Sequence, residues 1–326
     1  EVIRNRLVVD EGDPLNELLF NKSIDNVKSL RIFKNVETEI YDGSEENLKS
    51  INITVEEQPT GEVSLAAGVG TSGTTIGGGI TEKNFLGKGI NLTTNLEISE
   101  DKIKGQFIYS KPNFNYSDNT LFTSVKSSTT DLLKDFGYET SEIGFSLGTE
   151  FEQYENLFFK PEINLSIEDL ETNSKASNNL KKQAGNYEDF YFNYGLNYDL
   201  RNSAYKPSSG YKTSFYQRLP IVSSNNEITN TFVFTKHHKI NKETNMIGKA
   251  SIYLSSVNSI DDSDVRISKR AKMPYNRLRG FEKDKIGPRD GEDYVGGNYV
   301  TSLNFSANLP GLLQTMENLD FTYFID

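Results

Sequence analysis

The feature that most constrains this chain is a strict two-residue alternation, carried over runs too long for an ordinary soluble strand. From Asp189 to Arg201, Phe190, Phe192, Tyr194, Leu196, Tyr198 and Leu200 fall on one side, with Asp189, Asn193, Asn197, Asp199 and Arg201 on the other. Side chains of a strand point alternately to its two faces, so this run sets an aromatic face against a polar one. Soluble strands average about 5–6 residues, whereas a tilted strand crossing a bilayer needs about 9–11. Asn91 to Ser99 repeats the pattern, with Leu92, Thr94, Leu96 and Ile98 opposite Asn91, Asn95, Glu97 and Ser99. So does Glu142 to Phe151, with Ile143, Phe145, Leu147 and Phe151 opposite Glu142, Ser146 and Glu150.

About thirteen such strands read from Glu62 to the end, with one long irregular connection, Ser256 to Gly297, between the eleventh and twelfth. A soluble sandwich would need a second apolar layer for every one of these faces. Lipid outside and water inside satisfy both faces of a closed sheet at once. The 17 Tyr and 20 Phe suit interfacial girdles, although Trp is absent. The expected class is therefore mainly β, a transmembrane antiparallel β-barrel.

A different pattern precedes it. Glu1 to Val9 and roughly Asn16 to Leu30 can be helical, the second carrying Ile24, Val27 and Leu30 after a Gly12-Asp13-Pro14 break. Two short strands follow, Val36 to Tyr41 and Ser50 to Glu57, joined by a turn at Asp42-Gly43-Ser44, with Ile51, Ile53 and Val55 on one face. This α-α-β-β order makes a small core that needs one more strand. The reading divides the chain into a small α+β domain at 1–59 and a barrel at 60–326.

Composition removes several classes of function. A net charge of −11 and the lack of a basic stripe exclude a nucleic-acid binder. No apolar run reaches the ~18 residues of a transmembrane helix, which leaves a barrel open. With no cysteine, thiolate metal sites and cysteine nucleophiles are excluded, and an oxidising compartment is compatible. Glu1 to Arg6 has no signal-peptide pattern, so the natural N-terminus is expected upstream. The adjacent His237 and His238 point to opposite faces of a strand and cannot share a metal. Gly77-Gly78-Gly79 lacks the Gly-Lys-Ser/Thr of a phosphate loop, and Asp261, Asp262 and Asp264 read as a solvated acidic loop more readily than as a calcium site. No catalytic residue, metal or cofactor is expected, and the chain is not expected to be an enzyme.

Several segments resemble the BamA family of β-barrel assembly factors in the outer-membrane insertase superfamily, and the resemblance spans essentially the whole chain. Val55-Glu56-Glu57-Gln58-Pro59-Thr60-Gly61-Glu62 resembles the family's junction between its last polypeptide-transport-associated (POTRA) domain and the barrel. Glu11-Gly12-Asp13-Pro14 and Ile32-Phe33-Lys34-Asn35-Val36 resemble POTRA motifs, Glu82-Lys83-Asn84-Phe85-Leu86-Gly87-Lys88-Gly89 an early barrel turn, and Lys111-Pro112-Asn113-Phe114 a strand ending. Arg279-Gly280-Phe281, inside the long connection, is similar to the family's sixth-loop motif. The resemblance implies a membrane-proximal POTRA domain lacking its first strand and a sixteen-stranded barrel lacking its last three strands, that is, a fragment.

In the family the sixth loop folds into the barrel and its Arg meets polar or acidic lumen residues of the strands that follow. In the last segment, Leu319, Phe321, Tyr323 and Ile325 face one way, leaving Asp320, Thr322 and Asp326 on a polar side that Phe324 interrupts. The resemblance therefore assigns Asp326 as partner of Arg279, with Asn304 standing where a second acid is expected. The alternative is that Arg279 is a solvated loop residue.

The resemblance further implies assembly and insertion of β-barrel proteins into the bacterial outer membrane, by strand templating at a lateral gate. The implied gate strand is Val63, Ser64, Leu65, Ala66, Ala67, Gly68, Val69 and Gly70, in which small residues alternate with apolar ones. Its glycines weaken a seam or, equally, only accommodate curvature. Implied partners are unfolded outer-membrane proteins, periplasmic chaperones, accessory lipoproteins and outer-membrane lipid. The implied location is the outer membrane, with the POTRA domain in the periplasm. A two-partner-secretion-type translocator and a passive porin or receptor barrel are the alternatives.

Overall fold

The structure is a computed structural model that describes residues 2–9, 11–45, 48–70, 73–204, 206–241, 243–261, 263–309 and 321–326. In the N-terminal unit, helix α1 (Glu17–Ser29) is capped by Asn16, whose side chain accepts from the N–H groups of Leu18 and Leu19 at 3.0 and 3.2 Å. It buries Phe20, Ile24 and Val27. Strands β1 (Phe33–Asp42) and β2 (Lys49–Glu57) pair antiparallel, with Val36 opposite Val55 and Thr38 opposite Ile53.

The helix expected over Glu1 to Val9 is instead a single 3-10 turn, Arg4–Arg6, with Glu1 outside the described residues. A segment this short does not offset its nucleation cost unaided. Its backbone is drawn onto α1: the Val8 N–H donates to Ser23 Oγ at 2.8 Å and the Arg6 carbonyl accepts from Asn26 at 3.2 Å.

The rest is one antiparallel sheet laid down in chain order. Its first strands are β3 (Gly61–Gly70), β4 (Gly73–Phe85), β5 (Ile90–Ser99), β6 (Lys102–Lys111) and β7 (Thr120–Leu132). β8 (Tyr138–Tyr154) and β9 (Leu157–Thr172) follow, then a one-turn helix α2 (Asn178–Lys181) and β10 (Gly185–Asp199). β11 (Gly210–Ser223), β12 (Glu227–Asn241) and β13 (Met246–Ser259) lead into a long loop, 260–298, holding the two-residue hairpin β14 (Arg289–Asp290) and β15 (Asp293–Tyr294). β16 (Tyr299–Leu309) and β17 (Phe321–Ile325) return to the sheet, which has thirteen strands with β3 and β17 at its edges. It is not closed among the described residues. The loop starts later than the sequence pattern indicates because β13 stays paired with β12 out to Glu227 opposite Ser259. Leu319, Asp320 and Asp262 lie outside the described residues.

The sheet is inverted relative to a soluble protein. Ile143 pairs with Ile167, Phe145 with Leu165 and Leu147 with Ile163, and all six are between 37% and 63% exposed. On the opposite face Ser146, Ser166, Glu168, Asp189 and Asn193 are buried. Apolar side chains outside and polar ones inside are what a bilayer requires of a strand that crosses it. No helix among the described residues is long and apolar enough to cross a membrane, so any crossing is made by the strands. One loop, 260–298, touches Asp101 after β5, Glu168 on β9, Asp189 on β10 and Asn304 on β16, all from the polar side. A single segment can do this only because the sheet curls around it. Two apolar clusters seat the loop, one of Phe136, Tyr138, Leu170, Leu180, Ile267 and Val295, the other of Val257, Val265 and Ala271.

Candidate functional site

The long loop enters the lumen through a short 3-10 turn, Ile267–Lys269. Just before it, the Arg266 guanidinium reaches Asp189 Oδ2 at 2.5 Å, has Nε 3.8 Å from Glu168 Oε1, and lies 4.1 Å over the Tyr187 ring. The Arg266 and Asp189 side chains are fully buried and that of Glu168 nearly so. Lys269 adds a second cation, 2.5 Å from Glu168 Oε2 and 3.8 Å from Glu142 Oε2. Glu142 also meets Lys126 at 3.1 Å, the Ser268 hydroxyl donates to Glu168, and the Ile267 N–H donates to Gln183 at 2.8 Å. β8, β9 and β10 thus each contribute one carboxylate to two loop cations. Charges this deep persist only when paired, and removing one partner strands the other.

The loop's other anchor is at Arg279. Its Nε and Nη2 donate to the two oxygens of Asp326 at 2.7 and 2.6 Å, its backbone N–H donates to Oδ2 at 3.0 Å, and its guanidinium lies 3.6 Å over the Phe324 ring. Phe324 interrupts the polar face of β17 because it is the platform for this arginine. The Asp326 hydrogen bonds and charge hold Arg279 protonated, above its ordinary range.

Asn304 explains itself by what it donates. Its amide Nδ2 gives one hydrogen bond to Asp326 Oδ1 at 3.0 Å and one to the Arg277 carbonyl at 2.6 Å, while its Oδ1 accepts from Arg277 Nη1 at 3.4 Å. A carboxylate at this position could make neither donation. Arg277 supplies the neighbouring charge and donates to Ser251 Oγ at 2.7 Å. Gly280 adopts φ +86°, a backbone region that favours glycine, and Phe281 is 53% exposed, so Phe281 makes no deep anchor.

The tip of the loop crosses the strand ends. Lys283 meets Asp101 and Lys285 meets Asp135, each at 3.1 Å. Asp290 accepts from Ser177 Oγ at 2.7 Å. Lys272 donates to the Tyr138 hydroxyl at 2.6 Å and lies 4.6 Å over Phe136; burial pushes its pKa down to about 8, against the opposing charge of Asp284.

The strand singled out as a gate, Val63 to Gly70, lies within β3 and pairs only with β4, Val63 opposite Ile80 and Leu65 opposite Gly78. Val63, Leu65 and Val69 are 72%, 86% and 86% exposed, on the outward face; Ser64, Ala66 and Gly68 face the other way. A side chain at Gly68 would meet no heavy atom within 4 Å, so space does not demand glycine there. Among the described residues no strand occupies the other edge of β3. No group of three or more His, Asp or Glu side chains able to hold a metal occurs among the described residues.

The structure thus brings Arg279, Asn304 and Asp326 together and leaves β3 far from them in strand order. It also shows a set the sequence reading missed, Arg266 and Lys269 against Glu142, Glu168 and Asp189. Glu142 and Asp189 do stand on the polar faces of their runs, but nothing local ties them to a loop 77 residues or more downstream.

The Omp85 superfamily domain matches residues 84–326 of this chain. An outer membrane protein assembly factor of Treponema pallidum (strain Nichols) is 34% identical over 107 residues, which is 31% of this chain and 13% of that protein. The chain therefore matches well under half the length of that relative. Among solved structures, BamA from Haemophilus ducreyi lacking POTRA domains 1-3 superposes with a TM-score of 0.86 at 20% identity, covering 99% of this chain and 67% of that one. CdiB from Acinetobacter baumannii superposes with a TM-score of 0.58 at 10% identity, covering 98% of this chain and 59% of that one.

Proposed function

The chain belongs to the Omp85 superfamily, and from that premise we propose that it assembles and inserts β-barrel proteins into the bacterial outer membrane. The observation that carries this reading is the strapped lumen: a passive pore needs an open path, and here a loop cross-linked by ion pairs fills the polar side of the sheet. The partial identity with an assembly factor and the fold shared with BamA support it. The fold likeness to CdiB is the more distant, which ranks a two-partner-secretion-type translocator second.

In this reading the N-terminal α+β unit, 1–59, is a POTRA domain in the periplasm, and 60–326 belongs to the membrane barrel. Unfolded outer-membrane proteins, delivered by periplasmic chaperones and handled with accessory lipoproteins, are the partners. Residues Val63 to Gly70 of β3 template an incoming strand, whose N–H and C=O groups pair with the edge of β3 instead of facing lipid unpaired. Insertion then needs no nucleotide, because strand pairing and apolar burial drive it. Arg279, held by Asp326, which Asn304 hydrogen-bonds in turn, keeps the loop seated during the exchange.

The test is disulfide trapping during assembly by the full-length protein in liposomes. A cysteine at Ser64 is expected to capture a substrate strand carrying a matching cysteine, while one at Asn197 in β10 does not. Equal capture at both positions would remove the templating role of β3.

A further inference from the structure

Where the N-terminal unit meets the barrel, a cavity of about 370 Å³ opens between Val2, Asn5 and Arg6 on one side and the ends of β4, β5 and β6 on the other. Four cations line it, Arg6, Lys83, Lys88 and Lys111, and no carboxylate does. This reverses the balance of a chain with 46 acidic and 35 basic residues. The only carboxylate touching these cations among the described residues is Glu62, 3.5 Å from Lys83. Neutral donors stand between the charges: the amides of Asn5, Asn91 and Asn113 and the hydroxyls of Thr81 and Thr93. Asn113 ties the two parts together by donating to the Asn5 carbonyl at 3.4 Å.

The neutral donors of β4 and β5 that line the cavity are on the lumen side of the sheet. Thr81 and Lys83 alternate with the outward Ile80, and Asn91 and Thr93 with the outward Leu96 and Ile98. A polypeptide passing the N-terminal unit meets the cavity directly. Repulsion by a net charge of −11 would otherwise hold an acidic segment away, so a local reversal of sign selects for one.

We propose that this cavity binds a carboxylate-bearing segment of an extended polypeptide on its way to the barrel edge. The proposal rests on the assembly reading and adds a site to it. Arg6 and Lys88 have no ion-pair partner among the described residues, so both can be changed without breaking a charge pair.

The experiment uses the full-length protein in phosphatidylcholine nanodiscs and a short fluorescent peptide alternating Asp and Val, read by anisotropy. The expected result is binding that weakens about tenfold in the Arg6→Gln, Lys88→Gln double variant, that is lost with the Asn/Val peptide, and that falls as salt rises. Equal binding of the Asp and Asn peptides, or indifference to the double variant, would overturn the proposal. Displacement of the peptide by phosphatidylglycerol in the disc, abolished in the double variant, would give the cavity to a lipid headgroup instead. Substrate folding is measured on the same native sample: acceleration without peptide binding removes the cavity's role alone, and peptide binding without acceleration removes the assembly reading.

Discussion

The two ends of the long loop are anchored in opposite ways. At Arg266 the ion pairs are sealed in the lumen, with Arg266 and Asp189 fully buried, and they involve three adjacent strands from the middle of the sheet. At Arg279 the guanidinium side chain is 35% exposed and its partner Asp326 follows β17, which pairs with β16 from Leu309 opposite Phe321 to Phe305 opposite Ile325. The first anchor is costly to form and costlier to half-remove; the second is geometrically tight and keeps part of its guanidinium in water. One loop is thus held by a sealed clamp on β8 to β10 and by a partly exposed latch at β17.

The largest effect is expected at the sealed end. Arg266→Met leaves Asp189 buried without its closest cation and is predicted to cost about 3–5 kcal/mol, read from urea unfolding in detergent, with Arg266→Lys recovering part of it. A loss near that of an ordinary surface change would erase the contrast between the anchors.

Arg279→Ala removes the two side-chain donors from an Asp326 side chain that is only 3% exposed, keeping the backbone N–H, and about 1–3 kcal/mol of local stability is predicted to go with them. Hydrogen exchange should rise at 321–326 and stay unchanged in β8 to β10. Exchange rising throughout the sheet would mean that the latch is no more local than the clamp.

Lys283→Ala at the loop tip breaks a partly exposed pair with Asp101 and is expected to cost below about 1 kcal/mol, seen as slightly faster proteolysis of 260–298. A pH-dependent effect is expected at Lys272. Burial lowers its pKa in the folded state to about 8, against an ordinary value of 10.5, with Asp284 and Asp101 opposing and Lys283 reinforcing the shift. The unfolded chain therefore binds more protons between those two values, and the stability of the loop rises with pH in that window. Protease resistance should increase from about pH 8 to about pH 9.5 in the native protein and stay level in Lys272→Met.

What was legible in the sequence is what a local period encodes. The outward faces of β8 to β10 follow from alternation alone, because lipid on one side and water on the other impose a period of two on every strand. The pairing of β1 with β2 was readable for the same reason. The first helix was not, since its backbone satisfies itself against Ser23 and Asn26 and not along its own axis. At the candidate site, the motif around Arg279 could be placed and Asp326 named only through the family resemblance, which alternation along the last strand accommodates. The Arg266 clamp could not be read. Its partners are scattered over β8, β9 and β10, and each by itself is indistinguishable from a lumen residue that merely faces water. Asn304 looked like a departure until its donations to Asp326 and the Arg277 carbonyl were seen.

The most direct measurement is the folding rate of an unfolded outer-membrane barrel protein added to liposomes containing the full-length protein, with leakage of a trapped dye followed in the same vesicles. The account predicts faster folding without leakage, and a loss of that acceleration in Arg279→Ala at an unchanged folded fraction. Dye leakage with no gain in folding rate would contradict it and make the chain a passive pore.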